Sequence, residues 1–279
     1  MADEIRRGDR GETGFVEPGW YPDPWSGSRP TLVRWWNGTA WTDSTASIPR
    51  SSEALSGLPV RTGAWVFLTL VVSLVASRVS IDALIGSNLP IVVLAAIGAI
   101  VGYAPPLVVA LRMTKRPGES RLWITGRWRT TDIGWGLLTW LACVAGQILA
   151  ALVVFGANIP FTGNVDDLDS GEIPRDYLLA ILVIGVVVAP VVEEILFRGV
   201  VLRSLTSCGS RWTAIPIQGI LFGVVHVDPV RGAGNLGLVI VLSTVGVVLG
   251  ASMWWLGRIW PAMIAHAILN SVALVIALS

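Results

Sequence analysis

Between Tyr177 and Arg198 the chain reads YLLAILVIGVVVAPVVEEILFR. A largely apolar run of about 20 residues is long enough to cross the hydrocarbon core of a bilayer as a helix. Two adjacent carboxylates, Glu193 and Glu194, lie near the end of this run. Because a charged side chain at the bilayer centre costs about 2.5–3.5 kcal/mol on insertion scales, such groups need a partner, a wet cavity or a function. The segment therefore predicts a membrane helix that carries chemistry.

Apolar segments of comparable character lie on both sides of this one. The chain is 53% hydrophobic and only 14% charged, with a mean hydropathy of +0.67, whereas soluble domains are about 25% charged. We therefore predict an all-α polytopic membrane helix bundle with seven spans, or eight if one segment is split or re-entrant. The fifth span is short and contains Pro216. The predicted spans are 63–85, 89–111, 133–155, 177–198, 212–227, 236–257 and 260–278.

The charged residues concentrate before the first apolar segment. Of the 20 basic and 19 acidic residues, 15 lie in residues 1–61. The net charge of +1 gives no strong basic field, so we expect no nucleic-acid partner. The asymmetry predicts a polar N-terminal part and a membrane domain. The predicted boundaries are 1–15 for a disordered tail, 16–44 for a small Trp-rich β domain, 45–62 for a linker and 63–279 for the membrane domain.

The N-terminal part is rich in aromatic residues. Five of the 14 Trp residues lie between Trp20 and Trp41. Asn37-Gly38, flanked by aromatic and β-branched residues, predicts a hairpin with a type I′ turn. Packed aromatic rings compensate for the small core of a unit of about 30 residues. Two interpretations stay open: a purely structural sheet, or a surface whose rings bind a Pro-rich peptide partner.

Basic residues alternate between the two sides of the predicted bundle. The loop at 156–176 is acidic, whereas the loop between the second and third spans is strongly basic. Because Lys and Arg are enriched in cytoplasmic loops, we expect a multi-pass protein of the cell membrane with its N-terminal domain in the cytoplasm. The basic loop carries Arg112, Lys115, Arg116, Arg121, Arg127 and Arg129.

The two carboxylates of the fourth span have different surroundings along the helix. Glu194 and Arg198 are four residues apart, so they share a helix face and can pair. Glu193 lies about 100° around the helix and has no basic residue one turn further on. Glu193 is therefore predicted to be the free carboxylate and Glu194 to be structural support. The alternative is that both carboxylates are merely interfacial.

The only two histidines of the chain also lie in apolar segments. His226 ends the fifth span, and His266 lies one turn before Asn270 in the seventh. Together with Glu193 they match a hydrolytic site, with a base, an imidazole and neutral donors for an oxyanion. Glu193, His226 and His266 could alternatively hold zinc with an open coordination position. A soluble-type zinc protease is disfavoured because the sequence has no HExxH helix.

Three motifs occur in order on successive membrane segments. They are EExxxR at Glu193–Arg198, FxxxH at Phe222–His226 and HxxxN at His266–Asn270. Over about residues 130–279 this pattern resembles the CPBP family of intramembrane proteases, the CAAX-protease and bacteriocin-processing or Abi family. PGWYPDP and RWWNGTAWT in the N-terminal part resemble a short Trp-rich domain of unknown function found in actinobacterial proteins.

The CPBP resemblance implies roles for individual residues. Glu193 would activate water with help from His226, and His266 and Asn270 would stabilise the oxyanion, while Phe222 belongs to the supporting residues. The implied fold is a bundle of about eight helices with a cavity open to one side of the membrane. The implied partners are the lipid bilayer and a membrane protein or peptide as substrate.

Alternative functions stay open at this point. One is a non-catalytic membrane scaffold or bacteriocin immunity protein with the same fold. Another is a transporter that uses Glu193 and the histidines as a proton or metal path. For the enzyme we expect no required cofactor, because three zinc ligands would consume the free carboxylate. Zinc remains the alternative.

One feature of the sequence conflicts with a simple site. A straight fifth span puts His226 at the end of about 22 Å of helix, whereas Glu193 and His266 lie only about 9 Å from the cytoplasmic edge. A kink at Pro216, a tilt or a buried helix start is needed to bring His226 to the same depth.

Overall fold

The architecture comes from a computed structural model that describes residues 17–26, 32–47, 58–115, 125–163 and 175–278. The chain divides into two compact units, Met1–Ala54 and Leu55–Ser279. The division falls within the predicted linker 45–62. The predicted tail at 1–15 and most of that linker lie outside the described residues.

The N-terminal unit contains a three-stranded antiparallel sheet in the order β1-β2-β3. The strands are β1 (Gly19–Pro22), β2 (Leu32–Trp36) and β3 (Trp41–Ser47). Aromatic rings pair edge to face on this sheet: the centroids of Trp20 and Trp35 are 5.5 Å apart, and those of Trp36 and Trp41 are 5.3 Å apart. The predicted small β unit is therefore confirmed.

The hairpin between β2 and β3 has a different turn from the predicted one. Trp36 pairs with Trp41, so the loop has four residues rather than two. Gly38 has a positive φ of 97°, but Asn37 is not among the described residues with positive φ, as a type I′ turn requires. Asn37 instead accepts hydrogen bonds through Oδ1 from the main-chain N–H groups of Thr39 and Ala40. The type I′ prediction is therefore wrong, because the Asn side chain closes a wider loop.

An ion pair joins Asp23, which follows β1, to Arg34 of β2. Asp23 is buried and accepts from Arg34 Nε at 3.2 Å. Arg34 Nη1 donates to the Thr42 carbonyl at 2.9 Å, and its Cζ lies 5.1 Å from the centroid of Trp25. The hydrogen bond from Arg34 holds the pKa of Asp23 below its usual value. The Arg34 guanidinium therefore links the Asp23 carboxylate, the Thr42 carbonyl and the Trp25 ring.

The second unit is helical, and each of the seven predicted apolar segments forms a helix. Its helices are α1 (Val60–Leu84), α2 (Ile91–Met113), α3 (Thr131–Gly156), α4 (Arg175–Leu205), α5 (Arg211–Val224), α6 (Asn235–Leu256) and α7 (Trp260–Ala277).

Six of these helices have the length and hydropathy of membrane spans within the described ranges. The exception is α5, whose 14 residues extend only about 21 Å, less than the hydrocarbon core of about 30 Å. The predicted fold, a polytopic helix bundle that follows a small β unit in the chain, is confirmed. The segment 212–227 does not form a full span.

Helices α5 and α6 approach closely because glycines face each other. A Cβ added at Gly246 would lie 2.8 Å from Gly219 Cα, and one added at Gly219 would lie 2.8 Å from the main-chain nitrogen of Val247. No real Cβ tolerates such distances from backbone atoms. The glycines therefore allow backbone-to-backbone packing, as small residues do in membrane helices generally. This packing brings the Gly246 carbonyl close to α4.

Helix α4 is not α-helical throughout. Val183–Val188 and Ile195–Val201 are π-helical, and Ala189–Glu194 between them is α-helical. A π-helix hydrogen-bonds residues five apart and appears frequently at functional sites. Glu193 and Glu194 therefore lie at the end of a short α-helical stretch, about a turn and a half long, between two π-helical stretches.

A proline determines which carbonyl of the first π-helical stretch lacks a main-chain hydrogen-bond donor. The Ala189 N–H donates to the Ile184 carbonyl five residues back. The next donor in this register would be Pro190, which has no N–H. The Gly185 carbonyl therefore receives no hydrogen bond from residue 190. In an apolar environment it needs a hydrogen-bond donor from elsewhere.

Candidate active site

The carboxylate of Glu194 is held by a buried arginine. Arg198 Nη1 donates to Glu194 Oε1 at 2.7 Å, and both side chains are fully buried. Arg198 Nη2 donates to the Gly246 carbonyl on α6 at 3.1 Å, and its Cζ lies 4.6 Å from the centroid of Phe222. The pair predicted from the four-residue spacing is thus present. It joins α4 to α5 and α6.

His266 on α7 lies against both carboxylates. Its Nδ1 is 3.0 Å from Glu194 Oε1, and its Nε2 is 3.8 Å from Glu193 Oε2. Because Glu194 is paired with Arg198 and acts as an acceptor, Nδ1 carries the hydrogen in this arrangement. Nε2 is then the nitrogen that faces Glu193. This is the orientation of a histidine whose second nitrogen is held by a carboxylate.

Glu193 is 7% exposed, and its two oxygens differ. Oε1 accepts a hydrogen bond of 2.7 Å from the hydroxyl of Tyr103 on α2. Oε2 has no hydrogen-bond partner within the described part of the chain. Sequence reasoning missed Tyr103. Its signal was a phenol hydroxyl in an otherwise apolar span, a polar group that needs a partner when it is buried.

His226 lies just beyond the end of α5 rather than inside a long span. Its Nδ1 is 2.7 Å from the Phe222 carbonyl, which fixes Nδ1 as the donor and leaves Nε2 with a lone pair. The Phe222 ring lies between the two histidines, with centroid distances of 4.9 Å to His226 and 5.6 Å to His266. Both histidines therefore adjoin one buried ring. The early end of α5 at Val224 places His226 in the turn that follows the helix.

Asn270 contacts the backbone of α4 instead of a carboxylate. Its Nδ2 donates to the Gly185 carbonyl at 2.7 Å, the carbonyl for which Pro190 supplies no N–H. One of the two amide hydrogens of Asn270 is therefore used to complete the hydrogen bonding of the π-helical stretch. Within the described ranges, the other hydrogen and Oδ1 are available for other partners.

A cavity of about 540 Å³ lies beside Tyr103. Its volume is within the range of about 300–1,000 Å³ that small-molecule pockets occupy. Apart from the phenol, its lining is aliphatic and comes from α2 and the first part of α4. The lining includes Ile100, Leu107, Leu179, Val183 and Val192.

A metal site needs several ligand atoms that converge on one point. Among the described residues, no three His, Cys, Asp or Glu side chains are grouped closely enough to hold a metal ion. In this conformation Glu193, His226 and His266 thus do not form a three-ligand centre. His226 adjoins His266 through the Phe222 ring.

Two family models match the chain. Residues 175–272 match the type II CAAX prenyl endopeptidase Rce1-like family, and residues 18–54 match DUF2510, a protein family of unknown function. No curated protein and no solved structure gives a significant match. The Rce1-like segment contains all three motifs described above, from Glu193 to Asn270. Both resemblances are therefore confirmed over the matched ranges: part of the helical unit of this multi-pass membrane protein is similar to the Rce1-like CAAX endopeptidases, and part of the N-terminal unit is similar to DUF2510.

Proposed function

We propose that the helical unit is an intramembrane endopeptidase that hydrolyses a peptide bond of a membrane-associated protein or peptide. The observation that carries this proposal is the buried arrangement of Glu193 Oε2 opposite His266 Nε2, with His266 held from behind by Glu194. A carboxylate and an oriented imidazole are the groups that general acid–base hydrolysis needs. The match to a family of CAAX prenyl endopeptidases agrees with it.

In the proposed reaction Glu193 Oε2 takes a proton from a water molecule. The hydroxide oxygen bonds to the carbonyl carbon of the scissile peptide, and the carbonyl oxygen becomes an oxyanion. The same carboxyl group then gives its proton to the leaving nitrogen as the C–N bond breaks. The products are a carboxylic acid and an amine, so the protons and electrons balance.

The remaining residues support this step in distinct ways. His226, with its lone pair on Nε2, orients the water. His266 donates to the oxyanion through Nε2 when the imidazole is charged, and Glu194 stabilises that imidazolium, as the carboxylate does in a catalytic triad. The second amide hydrogen of Asn270 is proposed as a further oxyanion donor.

We also propose that the reaction needs no metal. The free oxygen of Glu193 is the proposed base, and zinc coordination would consume it. Glu194 could replace it only by leaving Arg198 buried without its partner.

The test uses the purified full-length chain in detergent with an internally quenched CAAX-type peptide, in farnesylated and non-prenylated forms. Glu193→Gln keeps the shape of the side chain and removes the base, so we expect cleavage to fall by at least about 100-fold. Glu17→Gln, the same change at an exposed site outside the helical unit, is the control and should leave the rate unchanged. Full cleavage by Glu193→Gln would show that the assigned base is wrong.

The same variant separates the other functions. A scaffold or immunity protein would keep its cellular phenotype in Glu193→Gln, and a transporter would show ion flux in vesicles of the purified protein. For the enzyme, a strain with Glu193→Ala should accumulate an uncleaved membrane peptide.

The N-terminal unit is proposed to lie in the cytoplasm, on the basis of the loop charges. A cysteine placed at Ser51 should then react with a membrane-impermeant thiol reagent only after the cells are opened. Reaction in intact cells would reverse the orientation.

A further inference from the structure

We propose that Tyr103 is a positioning residue that fixes the carboxylate of Glu193 in its reactive orientation. This inference rests on the proposed function, in which Glu193 is the base. Tyr103 belongs to α2, outside the segment that matches the Rce1-like family. It lies 90 positions from Glu193 in the chain, and its hydroxyl donates to Glu193 Oε1 at 2.7 Å.

The need for such a residue follows from the difference between the two adjacent glutamates. Glu194 is fixed by Arg198 and lies against His266. Glu193 has no basic partner on its own helix, and in the described ranges the one hydrogen bond that its carboxylate accepts comes from Tyr103. A glutamate side chain has three rotatable bonds, so without this contact the carboxylate is free to change rotamer.

The contact also determines which oxygen reacts. Because Oε1 is occupied by the phenol, Oε2 is left facing His266 Nε2 at 3.8 Å. Rotation of the carboxylate would exchange the two oxygens or move both away from the histidine. The tyrosine thereby keeps one oxygen as the acceptor for the proton of water, and a misplacement of about 1 Å in such a site can cost 100-fold in rate.

Tyr103 is itself held by the packing of α2 on α1. Ser77 of α1 donates to the Gly98 carbonyl at 2.8 Å, and a Cβ added at Gly102 would be 3.6 Å from Leu74 Cδ2. On its other side the ring borders the cavity, and the other side chains that line it within the described ranges are all aliphatic. The backbone that carries the phenol is therefore held in place, and its hydroxyl has one strong acceptor, as a positioning residue requires.

The experiment compares three variants with the full-length protein, using the quenched peptide that the protein cleaves. Tyr103→Phe removes only the hydroxyl, and we expect kcat to fall about tenfold to 100-fold while KM stays within about twofold, as for an interaction made only in the transition state. Tyr103→Leu should lose activity to a similar or greater degree. Tyr177→Phe removes the same atom from a partly exposed tyrosine near the start of α4 and should retain full activity.

Two results would overturn the proposal. If Tyr103→Phe matches the wild type while Tyr103→Leu is defective, the ring only fills space. If Tyr103→Phe raises KM and leaves kcat unchanged, the hydroxyl contacts substrate instead of positioning the base. In either case Glu193→Gln would still be inactive, so the proposed function would stand; an active Glu193→Gln would instead remove the proposed function itself.

A melting experiment covers the case in which Tyr103→Phe is too unstable to assay. Removal of the hydroxyl should lower the melting temperature when Glu193 is present and change it much less in the Glu193→Ala background, because the contact is then already lost. An equal change in both backgrounds would show that the hydroxyl does not act on Glu193, and would overturn the proposal.

Discussion

The hydrogen bond from Asn270 to Gly185 makes a prediction about stability that is independent of catalysis. Asn270→Ala removes the donor that satisfies the Gly185 carbonyl. Pro190→Ala adds an N–H at the position from which the π-helical register would supply a donor. The two substitutions should therefore compensate each other in part. A protein with both should be more stable than the sum of the single effects implies.

The magnitude follows from the surroundings of the carbonyl. An unsatisfied buried polar group costs about 1–3 kcal/mol, whereas hydrogen bonds between membrane helices average about 0.6 and reach about 1.7 kcal/mol. The bond is short, at 2.7 Å, but Gly185 and Asn270 are both partly exposed. We therefore expect Asn270→Ala to cost about 1 kcal/mol, and less than half of that in the Pro190→Ala background.

The assay is reversible unfolding in mixed micelles by titration with sodium dodecyl sulfate, followed by circular dichroism. Ser271→Ala is the matched control, because its hydroxyl donates to the Ala267 carbonyl within its own helix at 2.7 Å. Its effect should be the same with Pro190 or Ala at position 190. If Asn270→Ala costs the same free energy in both backgrounds, the account of the Gly185 carbonyl is wrong.

Three further predictions follow. Arg198→Met should destabilise the helical unit by about 3–5 kcal/mol, because it leaves the carboxylate of Glu194 buried without its cation, whereas Arg211→Met at an exposed site should change the unfolding free energy by less than about 0.5 kcal/mol. In the N-terminal unit, the Arg34 guanidinium holds the pKa of Asp23 below the ordinary value of about 3.9. The ion pair therefore stabilises the sheet above that pH, and its contribution is lost as pH falls through the lowered pKa. Hydrogen exchange of residues 32–47, corrected for intrinsic rates, should show this loss in the wild type and not in Arg34→Met. Activity should survive exhaustive chelation with well under one zinc per chain by mass spectrometry, and stoichiometric zinc that alone restores activity would favour the metal-dependent reaction.

Local spacing made part of the site predictable. The four-residue separation of Glu194 and Arg198 predicted their pairing, because that separation places two side chains on one helix face. The apolar length of the segments predicted the helices for the same kind of reason. Such rules relate residues within one helix. The Glu194–Arg198 pair and the helices, which depend on these rules, are present in the structure as expected.

Contacts between distant helices were not predictable in this way. The hydroxyl of Tyr103 reaches Glu193 across 90 positions, and no periodicity in either helix indicates that meeting. The expected depth conflict at His226 assumed that 212–227 forms a membrane span, whereas α5 has only 14 residues. In the structure the helix ends at Val224, and His226 follows in a turn.

Side-chain chemistry also altered the local backbone in ways that composition does not show. An Asn-Gly pair is compatible with a two-residue turn, but Asn37 Oδ1 closes a four-residue loop instead. Likewise, a valine-rich run is equally apolar in an α-helix or a π-helix, and Val183–Val188 adopts the wider form.

The π-helical stretches of α4 affect how the chain tolerates changes in length. A π-helical turn accommodates one more residue than the α-helical hydrogen-bond pattern does. Loss of a single valine from Val183–Val188 could therefore be absorbed by a return to α-helical geometry, with the helix intact. Because the wide turn had already accommodated that residue, the residues before the deletion, including Leu179 in the cavity wall, would keep about the same direction relative to Glu193. Loss of one residue from this segment should thus leave both the folding of the helix and the facing of the cavity residues largely unchanged, and a homologue one residue shorter here must be aligned with its gap inside Val183–Val188.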